Sequence, residues 1–288
     1  RFAPVDFARD TDIGGGLALH LLPAGHMLGS SFVQLRHEDK TLLFTGDLGR
    51  PNDLIMVAPT IVDRADYLVV ESTYGDRRHD PADPRQRLAE IINRTVKRGG
   101  AVIVPAFAVG RAQTLMYLIY LLKESNAIPD IPVFLNSPMA VDATRIYHNH
   151  RGEHRLTPAQ CDAMCAAAKI VNSVEESKAL NTRQGPMIVI SASGMATGGR
   201  VVHHLKAFAP DARNTILFVG FQAGGTRGAA MLNGAETIKI HGEYVPVRAE
   251  VVSIDNLSAH ADYAEILAWL EYFEAPPRLT FVTHGEPK

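Results

Sequence analysis

A chain of 288 residues is long enough for about two domains. With 46% hydrophobic and 21% charged residues, it is neither disordered nor fibrous. A formal net charge of −2 excludes a uniformly basic nucleic-acid binder, though not a local basic groove. Apolar runs such as 101–109 and 115–122 fall short of the roughly 18 residues that span a membrane, and no charged-then-apolar leader opens the chain. Two cysteines cannot build a disulfide framework, so a reducing compartment, the cytoplasm, is expected.

In chain order, 17–22, 31–36 and 41–45 read as short strands between Gly-rich or charged turns, and 67–70 as another. Asp83 and Pro84 open a helix whose inward positions are Leu88, Ile91, Ile92, Thr95 and Val96, and Gly99-Gly100 ends it. Strands at 101–104, 131–135, 187–190 and 215–219 then alternate with helices at 110–124, 137–148, 158–168 and 200–208. This is the signature of a mostly parallel sheet flanked by helices. Residues 236–254 return to strand-like alternation. Asp262-Tyr263-Ala264-Glu265 is a capping box for a helix with an Ile266, Leu267, Leu270, Phe273 stripe. A strand at 278–283 comes last. Cys161 and Cys165 share one helix face, and with no second ligand pair they read as buried small hydrophobes.

Chemically able residues recur just past apolar strands: Asp47 after 42–46, Glu71 after 67–70, His284 after 279–283. In α/β architectures, sites gather beyond the carboxyl ends of strands. Gly25, Gly46 and Gly285 adjoin His26, Asp47 and His284 and let the backbone pass close to a crowded site. His26 lies in a turn and His260 just before the capped helix. Each alone is more often a solvated turn residue or a cap. Together, His26, Asp47, Glu71, His260 and His284 supply the imidazoles and carboxylates of zinc sites and acid–base pairs.

These segments resemble the metallo-β-lactamase fold in its β-CASP branch. Gly25-His26-Met27-Leu28-Gly29-Ser30 and Phe44-Thr45-Gly46-Asp47-Leu48-Gly49-Arg50 are similar to its third and fourth metal motifs. Glu71-Ser72-Thr73-Tyr74-Gly75 resembles motif A, Ser258-Ala259-His260-Ala261-Asp262 motif B, and Thr283-His284-Gly285-Glu286 motif C. The segments 105–113 and 191–195 also resemble β-CASP stretches. The match is to the RNA-cleaving type, such as the endonuclease subunit of the cleavage and polyadenylation factor and its bacterial and archaeal relatives. The DNA-repair members typically lack a motif C histidine, which here is His284.

The resemblance implies an α/β chain: part of an αββα metallo-β-lactamase sandwich at 1–75 and 257–288, with an inserted β-CASP domain at 76–256. It implies a zinc-dependent ribonuclease whose partner is RNA and not a membrane, and it admits a homodimer. His26 would ligate one zinc, Asp47 would bridge two, and His284 would ligate the second. His260 would contact the scissile phosphate as proton donor, and Glu71 would orient it. The family's His-x-His-x-Asp-His motif belongs upstream of His26 and is absent from this chain. A fragment with an incomplete site is therefore expected, binding zinc weakly and cleaving little. His148-Asn149-His150-Arg151-Gly152-Glu153-His154 has the wrong spacing to replace that motif and reads as a solvated helix end.

For RNA phosphates, the candidates are Arg111 and the turn carrying Ser191, Ser193, Gly194, Gly198, Gly199 and Arg200, where backbone N–H groups meet a helix N-terminus. The run 222–228 is a weaker case. The alternative for such Gly-rich turns is tight packing. Another reading of the whole is a catalytically inactive subunit that binds RNA or scaffolds a processing complex. The retention of all five chemical residues argues against it. A small-molecule hydrolase leaves Glu71, His260 and the long insert without a role.

Overall fold

The computed structural model of the protein describes residues 3–286. The chain divides into two compact units. The first holds the residues through His79, the short piece Glu153–Arg155, and the residues from Ala259 on; the second holds Asp80–Gly152 and Leu156–Ser258.

The first unit is built on one sheet. Strands β1 (Asp10–Gly14), β2 (Leu17–Pro23), β3 (Ser31–His37) and β4 (Lys40–Phe44) are successive antiparallel neighbours. Strands β5 (Tyr67–Glu71) and β14 (Leu279–Thr283) then add in parallel, giving the order β1-β2-β3-β4-β5-β14. Side chains alternate between the faces of a strand. One face, with Phe32, Leu43, Leu68 and Val70, is buried in a core with Ile266 and Trp269 of helix α8 (Tyr263–Leu270). The opposite face carries a cross-strand row, Leu21, Val33, Phe44, Val69 and Phe281, which stays partly or fully exposed.

The second unit alternates helix and strand. Helix α1 (Pro84–Lys97) starts on the Asp83 carboxylate, which accepts from Arg85 N–H, and buries Leu88, Ile91, Ile92 and Thr95. There follow β6 (Ala101–Pro105), α2 (Arg111–Glu124), β7 (Val133–Leu135), α3 (Pro138–Asn149), α4 (Pro158–Ala166), β8 (Lys169–Ile170) and α5 (Val174–Thr182). Next come β9 (Met187–Ser191), α6 (Val201–Phe208), β10 (Thr215–Val219) and α7 (Arg227–Leu232). The hairpin β11 (Thr237–Ile240) and β12 (Glu243–Pro246) precedes β13 (Glu250–Ile254). The main sheet runs β13-β10-β6-β9-β7-β8, with every pairing parallel. Strands β6, β9 and β10 are buried at every residue, which is why they read as unbroken apolar runs.

The chain is therefore α/β, as its alternation predicts. Elements the sequence hid have weak periodicity. β1 is Asp-Thr-Asp-Ile-Gly, with no apolar alternation. Helix α5 buries only Ser177 and Leu180 behind its Ser173/Glu176 capping box. Helix α7 starts at Thr226, inside the Gly-rich run. One expectation is corrected: the His148–His154 stretch is not a uniformly solvated end. His154 is buried, because its backbone bridges to Met56 in the first unit.

Candidate active site

All five chemical residues fall in the first unit, and the fold brings them together. Asp47 follows β4, Glu71 ends β5, and His284 follows β14. The β5/β14 register pairs Thr283 with Glu71, so His284 emerges beside the Glu71 strand end. The Ser72 hydroxyl donates to the Thr283 carbonyl at 2.9 Å, and Thr73 Oγ1 lies 2.9 Å from His284 Nδ1. His284 has φ +59°, a left-handed conformation uncommon for a non-glycine residue, at a cost on the order of 1 kcal/mol that the surrounding contacts must meet.

Three loops are laced together beneath the histidines. In the β2–β3 turn, Ser30 Oγ accepts from the N–H groups of His26 and Met27, each at 3.1 Å, and so shapes the backbone that presents the imidazole. Gly49 N–H donates to the Ala24 carbonyl at 2.8 Å, and Ala261 N–H to the Leu48 carbonyl at 2.8 Å. Any Cβ at Gly49 would overlap the Gly25 carbonyl, so only glycine lets these loops approach. Arg50 then clamps the Asp47 loop to the start of α8: Nε and Nη2 donate to the Glu265 carboxylate at 3.1–3.2 Å. Glu265 completes the capping box by accepting from Asp262 N–H at 3.0 Å.

The Asp47 carboxylate lies between two imidazoles. Oδ2 is 3.7 Å from His26 Nε2, and Oδ1 is 3.5 Å from His284 Nδ1. Those separations exceed hydrogen-bond length. They fit donor atoms arrayed around a cation, and nitrogen plus carboxylate oxygen is the donor chemistry of zinc. His26, Asp47 and His260 offer ligand atoms within 4.8 Å of one another, as do Glu71, His260 and His284.

Glu71 is almost wholly buried, and its two oxygens lie 2.9 and 3.1 Å from His260 Nδ1. Burial alone would push its carboxyl pKa up. The His260 imidazole, Thr73 N–H at 3.2 Å and Leu48 N–H at 2.6 Å outweigh burial and hold the group below its usual range. An ionised carboxylate at that distance keeps the proton on Nδ1 and directs the chemistry of His260 to Nε2. The rings of His26 and His260 are 4.4 Å apart.

Several positioning residues went unread in the sequence. His79 Nε2–H donates to the His260 carbonyl at 2.9 Å, and its own N–H donates to Asp262 at 2.8 Å. Burial pushes its imidazole pKa down, which favours this neutral donor form. Arg50 and Thr73 lie inside recognised motifs, so adjacency was their signal; His79 had none.

The candidates for RNA phosphate lie in the second unit, and the structure turns most of them inward. Arg111 is buried and donates to the Leu257 carbonyl. Ser191 is buried and donates to the Asn136 carbonyl at 2.8 Å. Arg200 donates to Asn136 Oδ1, the Val171 carbonyl and the Asn172 carbonyl at 2.5–3.0 Å. Ser193 Oγ accepts from Gly198 N–H at 3.3 Å, within the loop itself. A Cβ at Gly194 would strike the Phe107 ring, and one at Gly199, where φ is +75°, would overlap the Ala192 carbonyl. Packing accounts for Arg111, Ser191 and Gly194, while Gly198, Gly199 and Arg200 line a cavity of about 400 Å³.

Comparisons with known proteins find relatives along nearly the whole chain. A family model described as the Beta-Casp domain matches residues 112–231, and one described as the Zn-dependent metallo-hydrolase RNA specificity domain matches residues 244–288. A ribonuclease of Thermus thermophilus is 37% identical over 94% of this chain and 63% of its own length. A transcription termination factor FttA of Pyrococcus abyssi is 34% identical over 99% of the chain and 46% of its own length. An RNase J-like protein of Methanocaldococcus jannaschii is 30% identical over 98% of the chain and 67% of its own length. The chain thus spans roughly half to two thirds of these relatives. A crystal structure of an Enterococcus faecalis protein of unknown function shares the fold, with a TM-score of 0.53 at 12% identity, over 99% of this chain and 62% of that one.

Proposed function

The chain belongs to the β-CASP family of metallo-β-lactamase-fold RNA nucleases, and from that premise we propose that its whole protein hydrolyses RNA phosphodiesters with zinc at the His26–Asp47–His284 group. The observation that carries the reading is the Asp47 carboxylate, which offers one oxygen toward each imidazole beside the pair of buried Glu71 and half-buried His260. Zinc held there would supply charge stabilisation at the phosphate and an acidified water. His26, Asp47 and His284 would hold it, with Asp47 shared. Glu71 fixes the His260 tautomer. In its imidazolium form, with Nδ1–H on Glu71, His260 gives the Nε2 proton to the leaving oxygen as the phosphorus–oxygen bond breaks, while the attacking water bonds to phosphorus through oxygen and its own proton passes to solvent. RNA and the cytoplasm are the partner and compartment this reading implies, and a homodimer is the assembly that sedimentation would check. No helix among the described residues is long and apolar enough to cross a membrane.

Two zincs sharing Asp47 would each have two protein donors from this group, one short of the usual three. We infer that these 288 residues alone hold zinc weakly. The test is end-labelled RNA with the full-length protein, with zinc or with chelator, beside His260→Ala. Cleavage lost on chelation and in the variant supports the reading. Equal cleavage in all three samples would overturn it, and RNA bound but never cut would favour the inactive subunit.

A further inference from the structure

Two features of the sequence have no part in the chemistry above: the cysteine pair and the histidine in the last turn of α3. The fold joins them. We propose that His148, Cys161 and Cys165 form a second cation site, selective for zinc and other thiophilic divalent ions.

His148 stands in the last turn of α3, and Cys161 and Cys165 lie one turn apart on the facing side of α4. Residues four apart share a helix face. A ligand nitrogen of His148 and the two sulfurs all lie within 4.8 Å of one another. A tetrahedral zinc with sulfur at about 2.3 Å and nitrogen at about 2.0 Å sets those separations at roughly 3.5–3.8 Å, so side-chain rotation closes the gap. Cys161 is fully buried, Cys165 partly so, and the His148 side chain is 45% exposed. The sulfurs form a floor and the imidazole a mouth, which gives an entry path from solvent.

The charges facing the site are Asp162 and Arg151. Asp162 Oδ1 is 3.4 Å from His148 Nδ1, and Arg151 Nη2 is 2.6 Å from Asp162 and 3.1 Å from both ring nitrogens. Loading therefore requires Arg151 to leave the imidazole and keep its bond to Asp162. That pair neutralises itself, and two thiolates neutralise the divalent ion. No oxidation is involved: each thiol gives its proton to solvent as its sulfur–metal bond forms, two protons per ion. Paired thiolate ligands exclude magnesium and calcium, which prefer oxygen. The fourth position falls to water.

These are the only cysteines in the chain, so any thiolate-to-metal signal must come from this site and not from the His/Asp group. The experiment is titration of the reduced protein with Co2+, followed by near-ultraviolet sulfur-to-cobalt charge-transfer absorption and by proton release. The expected result is one such band saturating at one equivalent, with two protons released. The band should be lost in Cys161→Ser and in Cys165→Ser. His148→Ala, a surface change that leaves the core intact, should weaken cobalt binding on the order of tenfold or more. No charge-transfer band in the unmutated protein would overturn the proposal without any variant being needed. So would a band that survives both serine changes, or a cobalt affinity unmoved in His148→Ala. RNA cleavage enters none of these readouts.

Discussion

The strand-end group of the first unit and the Gly-rich turn of the second unit share one sequence pattern: polar residues and glycines just past an apolar strand. They are opposites in three dimensions. Around Asp47, the polar groups converge on one another at 3.5–3.7 Å, beyond hydrogen-bond reach, with oxygens and nitrogens turned toward a common point. Around Ser191 and Arg200, each polar group is closed on a carbonyl or an amide at 2.5–3.3 Å. Chemistry needs groups whose donor atoms the fold gathers around one point. The turn in the second unit spends its groups on holding the sheet to its helices.

The largest expected effect is on the first region. His260→Ala should lower RNA cleavage about 10²–10⁴-fold. Glu71→Gln, which keeps the shape but not the charge, should cost on the order of 10–100-fold. Single-turnover rates on end-labelled RNA measure both, and a full rate in either would erase the distinction between the regions.

For the second region, Arg200→Ala should cost roughly 2–4 kcal/mol in denaturant unfolding, because carbonyls it satisfies lose their donor. RNA affinity and its salt dependence should not change. A lower salt slope with unchanged stability would instead make Arg200 a phosphate ligand.

The same network sets a pH dependence. Arg200 fixes the Asn136 amide so that its NH2 faces His204 Nε2 at 2.7 Å, while Asn181 Oδ1 lies 2.6 Å from Nδ1. Burial, aided by the His203 and Arg200 charges, pushes the His204 imidazole down to about 4. The unfolded chain takes that proton near the ordinary value of about 6.5, so stability should be complete above that pH. It should fall by on the order of 3 kcal/mol as the pH drops toward 4. Thermal melts in which His204→Gln shows the same slope would remove His204 as the cause. The smallest effect belongs to Ser193→Ala, whose hydroxyl bonds only within its loop: stability should change by less than about 0.5 kcal/mol, with cleavage unaltered.

The fold was legible where burial is two-sided or periodic. Strands such as β9, Met-Ile-Val-Ile-Ser, can only be interior. The five residues of the candidate site were legible because each sits at a strand end or turn within a recognisable motif. Convergence itself was not legible, since it depends on the β5/β14 register and on the Gly49–Gly25 approach, both long-range. The phosphate candidates are ambiguous in sequence for a related reason: a glycine that lets an anion approach and one that lets a phenyl ring approach are the same letter. Gly194 against Phe107 is the second kind. His79 could not be read at all, because its role exists only once the carbonyl of His260 arrives 181 residues away in sequence.

The row Leu21, Val33, Phe44, Val69 and Phe281 runs across five neighbouring strands on the wet face of the first sheet. Phe281 in the edge strand is 54% exposed. Contiguous apolar area of that kind governs colloidal behaviour. Retention on a phenyl column, uptake of a fluorescent apolar dye and precipitation by ammonium sulfate should all be set by this plane rather than by a net charge of −2. Sulfate strengthens apolar association, so the 288-residue chain will salt out earlier than its charge alone suggests.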